Sequence, residues 1–177
     1  MAFSKRSFCK ECVFQFLTRQ YDYMVMNQFK GDFIEALKKF ENLSEERLRP
    51  HMAEFYSNSR SANQAWRTCK GDLYEYAVFK AFDSFIAIQG LQNRLMLLPG
   101  VEAESYKEHY IIKNWVDISP DADIVLIDIE HQKVSAIFSC KTSLRERLTE
   151  TAFWGRELKQ VHPEIKFVFV TTNKDDE

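Results

Sequence analysis

The residues best suited to chemistry lie at one end of a short predicted β-hairpin. Asp121 and Asp123 open an apolar, β-branched run, and Ser139 and Lys141 close the next run along the chain. Because side chains alternate between the two faces of a strand, each pair shares one face. If the strands pair, the acids and the lysine converge at one end of a sheet. This pattern predicts a metal site with a cation beside it, which suits hydrolysis of a phosphodiester.

Asp123 is the first candidate for a metal ligand, and Asp121 is the reserve from the same face. Mg²⁺ prefers hard oxygen ligands and is often held by one or two carboxylates together with a substrate phosphate. Lys141 could orient or deprotonate a water molecule, or stabilise the charge that develops on phosphorus. The alternative is that both acids simply cap the entry to a strand after Pro120.

The elements that position these residues follow from hydrophobic periodicity. Residues 1–90 contain little glycine and place apolar side chains at helical spacing, as in Phe14, Leu17, Tyr21 and Met24. Within this half, a helix start is predicted at Ser44, and a long helix over residues 63–88. After residue 90, short apolar runs predict strands at 95–98, 110–113, 123–129, 134–140 and 166–171. A helix is predicted over residues 143–160, before the last of these strands. We therefore expect an α/β fold, a mixed β-sheet flanked by helices with a helical N-terminal half.

Composition favours a single globular domain over residues 1–177, in which residues 1–90 form a mostly helical part and residues 91–177 contain the predicted strands. The chain is 45% hydrophobic and 14% aromatic, enough to fill a core. It has no apolar run of the roughly 20 residues that span a bilayer, and its first residues lack a signal core. We expect a cytoplasmic protein. The net charge of −2 means that any nucleic-acid affinity must come from a local basic patch.

The four cysteines are expected to be thiols. Cys9 and Cys12 could form half of a zinc site, but no second pair at ligand spacing follows them. We expect both instead to face a helix packing surface.

Two stretches around Lys141 resemble known nucleases. The order of acid, hairpin and Ser139-Cys140-Lys141 resembles the PD-(D/E)XK nuclease superfamily. Residues 139–147, SCKTSLRER, further resemble the type II restriction endonucleases that cut sites containing CCGG, in particular the BsaWI-type enzymes. The resemblance implies a restriction-endonuclease-like fold and Mg²⁺-dependent cleavage of double-stranded DNA at a palindromic site. It also implies a homodimer and a cognate DNA methyltransferase in the host. Residues 91–177 would then form the nuclease core, and the helical residues 1–90 would serve dimerisation and DNA contact.

Ser139 departs from the superfamily pattern, which usually has an acid at that position. In the CCGG cutters another acid fills the site, typically about a dozen residues past the lysine, and here Glu150 and Glu157 flank that region. Glu75 is the preferred third acid, because Gly71-x-x-x-Glu75 resembles the superfamily's first motif. The resemblance thus gives a catalytic set of Asp123, Lys141, Ser139 and Glu75, with Asp123 and Glu75 as metal ligands. The alternative for Glu75 is a solvated position on an amphipathic helix.

Arg145, Glu146 and Arg147 match the element that reads CCGG bases in the restriction enzymes. Arginine can donate two hydrogen bonds to guanine, and a carboxylate can accept one from cytosine, so this alternation suits a site made of G·C pairs. The triplet should lie at a helix start, where side chains can spread into the major groove. The alternative is an ordinary charged helix face.

Two other functions stay open on the sequence alone. One is a catalytically inactive nuclease fold that serves as a DNA-binding or assembly module, which the serine at position 139 favours. The other is a structure-specific nuclease, such as a junction resolvase, in which the Arg-Glu-Arg element would be coincidental.

Overall fold

A computed structural model describes residues 9–113, 115–143 and 148–172. The chain divides into two compact units, and the division falls within a long helix, between Ser84 and Phe85. The N-terminal unit contains the described residues up to Ser84 together with Thr172, and the C-terminal unit contains those from Phe85 to Thr171. That residues 1–177 form a single domain stays a prediction.

The described part of the N-terminal unit consists of helices and the turns between them, as predicted. Its elements are α1 (Glu11–Gln28), α2 (Phe33–Lys38), α3 (Phe40–Asn42), a π-helical segment (Leu43–Leu48), a 3₁₀ turn (Arg49–His51), α4 (Met52–Phe55) and α5 (Ser59–Ile88). Gly31, with φ of +82°, allows the reversal between α1 and α2. Asp32 then caps α2, since its Oδ1 accepts hydrogen bonds from the backbone N–H groups of Ile34 and Glu35.

The core of this unit forms along one face of α1. Val13, Leu17, Tyr21 and Val25 are fully buried and recur every four residues, which places them on one stripe of the helix. The Tyr21 ring centroid lies 6.2 Å from that of Phe40 and 6.4 Å from that of Tyr76. Aromatic packing therefore joins α1 to α3 and α5.

Two predicted helix boundaries in this unit are wrong. Ser44 does not begin a helix, because the backbone is already helical from Phe40 and the Ser44 hydroxyl donates to the carbonyl of Glu41 at 2.9 Å. The long helix begins at Ser59, four residues before the predicted start. Asn58 explains this shift, since its side chain accepts a hydrogen bond from the Arg60 backbone N–H at 2.8 Å.

The C-terminal unit is built on a four-stranded mixed sheet, which confirms the predicted fold class. The strand order is β1-β2-β3-β4; the first three strands pair antiparallel, and β3 pairs parallel with β4. Its elements are β1 (Leu95–Pro99), α6 (Gly100–Ala103), a 3₁₀ turn (Glu104–His109), β2 (Ile124–Asp128), β3 (Lys133–Lys141), α7 (Leu148–Val161) and β4 (Lys166–Thr171). The crossover between the parallel strands includes α7, as a parallel connection requires.

The predicted hairpin forms between β2 and β3. Ile124 pairs with Phe138, and a register shift near Ile127 gives the hairpin a β-bulge. Val125, Ile127 and Ile137 are fully buried in a core that also contains Leu158 of α7. These contacts hold the ends of β2 and β3 in register.

The strand predicted at residues 110–113 is wrong. Among the residues that the structure describes, this segment forms an isolated bridge between Ile112 and Ile118. Tyr110 and Ile112 are nevertheless buried, with 3% and 5% of their surface exposed. An irregular segment whose apolar side chains enter the core has the same short apolar pattern as a strand.

The expectation of four thiols is wrong for Cys9 and Cys69, which form a disulfide. Their separation of 60 residues gives no local signal in the sequence. Cys140 is a buried thiol. Cys12 is an exposed thiol, contrary to the expectation that it faces a helix packing surface.

Among the residues that the structure describes, no helix is long and apolar enough to cross a membrane.

Candidate active site

The pairing of β2 with β3 brings Asp123 and Lys141 together. Asp123 comes directly before β2, and its backbone N–H donates to the carbonyl of Phe138 in β3 at 3.0 Å. Lys141 is the last residue of β3. Its Nζ donates to Oδ2 of Asp123 at 3.0 Å, so the predicted convergence of acid and lysine is present in the structure.

The Asp123 carboxylate is buried and held in a fixed orientation. Only 8% of this side chain is exposed, and its Oδ2 accepts hydrogen bonds from the Cys140 backbone N–H at 2.7 Å and from Lys141. Burial raises the pKa of Asp123, and the opposing effect of the Lys141 ammonium does not cancel this shift. Within the described part of the chain, Oδ1 has no hydrogen-bond partner, so this oxygen can still bind a cation.

Asp121 provides a second carboxylate at the same lysine. Lys141 Nζ donates to its Oδ2 at 2.7 Å, although 58% of the Asp121 side chain is exposed. Burial alone would lower the pKa of Lys141, but the charges and hydrogen bonds of Asp123 and Asp121 hold it above its usual value. Lys141 is therefore an ammonium group at neutral pH, able to donate hydrogen bonds and to stabilise negative charge.

A cleft lies beside this lysine. Its polar lining comes from Asp121, Ser139, Lys141, Glu150 and Thr151, and its apolar lining from Trp154, Phe167 and Phe169. The cleft thus combines the end of β3 with α7 and β4, both of which follow β3 in the chain. Thr151 and Trp154 were not assigned a role from the sequence, although their spacing from Glu150 places all three near one helix face.

The three candidates for the third acid have different surroundings. Glu150 lies on α7 and lines the cleft together with Ser139 and Lys141. Glu157, on the same helix, does not line it and accepts hydrogen bonds from the Arg156 guanidinium at 2.8 and 3.0 Å. Glu75 lies on α5 in the N-terminal unit and is 7% exposed, so it is not the solvated residue of the alternative interpretation. Its metal-binding role stays a prediction.

The carboxylates in the cleft match the donor type that Mg²⁺ prefers, but they do not form a complete ligand cage. The described residues contain no group of three or more acidic, histidine or cysteine side chains placed to hold a metal. Mg²⁺ commonly needs only one or two carboxylates, with water and substrate phosphate as its other ligands. Asp123 with one further acid would meet this requirement.

Arg145, Glu146 and Arg147 lie outside the residues that the structure describes. Their predicted role in reading bases therefore stays a prediction. They belong to the connection between β3 and α7. In the structure, β3 ends at Lys141 in the cleft and α7 begins at Leu148.

Comparison with known proteins identifies relatives of this chain. The family described as BsaWI restriction endonuclease type 2 matches residues 102–177. A putative type II restriction enzyme of Methanocaldococcus jannaschii is 30% identical over 175 residues, which cover 83% of this chain and 74% of that protein. A probable type II restriction enzyme of Helicobacter pylori is 39% identical over 62 residues, or 34% of this chain and 32% of that protein.

Proposed function

This chain belongs to the type II restriction endonucleases, and we propose that it cuts double-stranded DNA at a palindromic site containing CCGG with Mg²⁺ as its metal. The observation that supports the catalytic part most strongly is the contact of Lys141 with both Asp121 and Asp123 at the end of the sheet. The proposed target sequence rests on the resemblance of residues 139–147 to the CCGG cutters. Both parts can be tested separately.

Asp123 is the proposed metal ligand, because its buried carboxylate keeps Oδ1 available while Oδ2 is held by hydrogen bonds. A bound Mg²⁺ would supply Lewis-acid stabilisation of the phosphate oxygens and a more acidic water. Lys141 contacts both carboxylates, and its proposed role is to orient or activate the attacking water, or to donate to a phosphate oxygen. The residues therefore supply positioning and charge for in-line hydrolysis of the phosphodiester.

A palindromic target implies a twofold homodimer in which each subunit cuts one strand.

The intact contact between Lys141 and Asp123 argues against an inactive DNA-binding module, even though Ser139 replaces the usual acid. We also propose that the enzyme acts in the cytoplasm of a host whose own DNA is protected by a cognate methyltransferase.

The third acid can be identified by replacing each candidate glutamate with glutamine. We expect Glu150→Gln to lower the rate of cleavage about a hundredfold or more at saturating Mg²⁺, because an amide removes the negative charge beside Lys141 while keeping the side-chain shape. The measurement is single-turnover cleavage of a duplex containing CCGG.

Glu157→Gln is the matched control, since Glu157 lies on the same helix but pairs with Arg156 outside the cleft. It should retain cleavage close to that of the unmodified protein. An inactive Glu75→Gln variant together with an active Glu150→Gln variant would assign the third acid to α5, as the motif resemblance predicts.

Reading of the bases can be tested with Arg145→Ala and Arg147→Ala. Each variant should lose about 1–3 kcal/mol of specific binding per half-site, because one bidentate contact to guanine is removed. Glu146→Ala should also weaken specific binding, since it removes an acceptor for cytosine. The measurement is a gel-shift titration at fixed salt on a CCGG duplex and on a scrambled duplex of the same composition.

An equal loss of affinity on the two duplexes would show that these arginines contact phosphates rather than bases. If the unmodified protein does not distinguish the duplexes at all, the proposed CCGG specificity is wrong. Cleavage itself would then remain to be explained by a site of different sequence.

A further inference from the structure

A shallow, open cleft of about 460 Å³ lies along the first turns of α5 and is not part of the proposed active site. It is lined by Ser59, Arg60, Asn63, Gln64 and Arg67, all of them exposed. The spacing of these residues, at intervals of three, four and seven, places them on one face of the helix. This face therefore presents two guanidinium groups with two amide side chains between them.

The face has an unbalanced positive charge. No aspartate or glutamate occurs between Glu54 and Asp72, and neither arginine of the cleft has an acidic partner within the described ranges. Several other surface cations do have such partners: Lys38 with Glu35, and Arg156 with Glu157. The excess charge of the cleft is thus a local exception in a chain whose net charge is −2.

The position of Arg60 does not favour helix stability. It lies in the first turn of α5, where the helix dipole is positive and an acidic residue would be favourable, and that turn contains no acid. Arg60 therefore gains nothing from the helix dipole, and neither Arg60 nor Arg67 is paired with an acid among the described residues. An anionic ligand would explain both positions. A guanidinium group matches phosphate oxygens through paired N–H donors.

We infer that this face of α5 binds DNA phosphates, an inference that rests on the proposed cleavage of double-stranded DNA. Asn63 supports it, because its Oδ1 already accepts a hydrogen bond from Arg49 at 3.1 Å and leaves the amide N–H groups to donate. Arg60 and Arg67 each contact a phosphate, and the amides add neutral donors between them. Such contacts fix the register of the protein on the duplex without reading its sequence.

The test is DNA binding by the Arg60→Ala/Arg67→Ala double variant over a range of salt concentrations. Fluorescence anisotropy on a CCGG duplex and a scrambled duplex, in Ca²⁺ to prevent cleavage, gives the dissociation constant at each salt concentration. We expect weaker binding to both duplexes, by about tenfold or more at low salt. The slope of log K against log salt should become shallower by about 1.8 per protomer, since each lost phosphate contact contributes about 0.9.

The matched control is Arg19→Ala/Lys38→Ala, which also removes two positive charges from exposed positions of the N-terminal unit. Its affinity and slope should stay close to those of the unmodified protein. An equal change in this control would refute the inference, because net charge alone would then explain the loss. A loss confined to the CCGG duplex would also refute it, since the arginines would then read bases.

Unchanged affinity and slope in Arg60→Ala/Arg67→Ala, with normal binding by the unmodified protein, would overturn the inference and leave the proposed function intact. An unmodified protein that bound neither duplex would overturn both. Circular dichroism and thermal unfolding of the double variant show whether a lost affinity comes from a folded protein. A folded variant with the expected slope supports the phosphate contacts.

Discussion

Lys141→Ala is expected to lower the rate of DNA cleavage by at least about a thousandfold while DNA binding changes little. The variant removes the ammonium that contacts Asp121 and Asp123, and with it the group proposed to orient water or stabilise charge on phosphorus. Binding should survive because one cation is a small part of the total attraction to DNA. Single-turnover cleavage and a gel shift, run on the same preparation, measure the two effects.

Lys133→Ala is the matched control for this prediction. Lys133 is exposed and begins the same strand that Lys141 ends, so the variant removes an equal charge at the opposite end of β3. It should cleave at the normal rate. A fully active Lys141→Ala variant would place the catalytic cation elsewhere in the protein.

Asp123→Asn should lower the rate of DNA cleavage at least as much as Lys141→Ala does. The substitution keeps nearly the same side-chain shape. The amide cannot supply the anionic oxygen that a divalent metal prefers, and metal stabilisation of the transition state is worth several kcal/mol. Because each 1.4 kcal/mol corresponds to a factor of ten in rate, we expect a decrease of about a thousandfold or more. The measurement is cleavage as a function of Mg²⁺ concentration, which should not be restored at saturation.

Asp117→Asn is an exposed control in the same unit and should be fully active. Asp121→Asn should lose less activity than Asp123→Asn, because more than half of the Asp121 side chain is exposed. The reverse order, with an active Asp123→Asn and an inactive Asp121→Asn, would show that Asp121 is the metal ligand instead of Asp123.

Local sequence signals predicted the hairpin well. The β-branched runs are both buried strands, and their alternation correctly placed Asp123 and Lys141 at the same end. This succeeded because a strand has a period of two, so the position of a side chain follows directly from its place in the sequence. The strand over Lys166–Thr171 was predicted with the same bounds.

Features that depend on distant residues could not be predicted. The disulfide between Cys9 and Cys69 joins residues whose proximity is a result of the fold, and neither cysteine has a local pattern that indicates it. The apolar run at residues 110–113 was taken as a strand because burial in an irregular segment gives the same pattern. Only the packing of the core distinguishes a buried irregular segment from a buried strand.

The acidic residues of the site also could be predicted only in part from the sequence. Asp123 follows from its place beside an apolar strand, but the approach of Glu150 to Ser139 and Lys141 depends on where α7 packs after the crossover. The motif around Glu75 and the position of Glu150 therefore suggest different third acids. A sequence motif indicates a residue type, whereas the packing of a helix determines which residue reaches the cleft.

The most direct test of the proposed function is cleavage of a plasmid that contains one palindromic CCGG site, followed by sequencing of the ends. The unmodified protein is predicted to linearise the plasmid in Mg²⁺ with both ends inside that site. Cleavage should be absent in EDTA, absent with Lys141→Ala, and absent on a plasmid in which the site is scrambled. Equal cleavage of the scrambled plasmid, or ends that map away from CCGG, would contradict the proposed function.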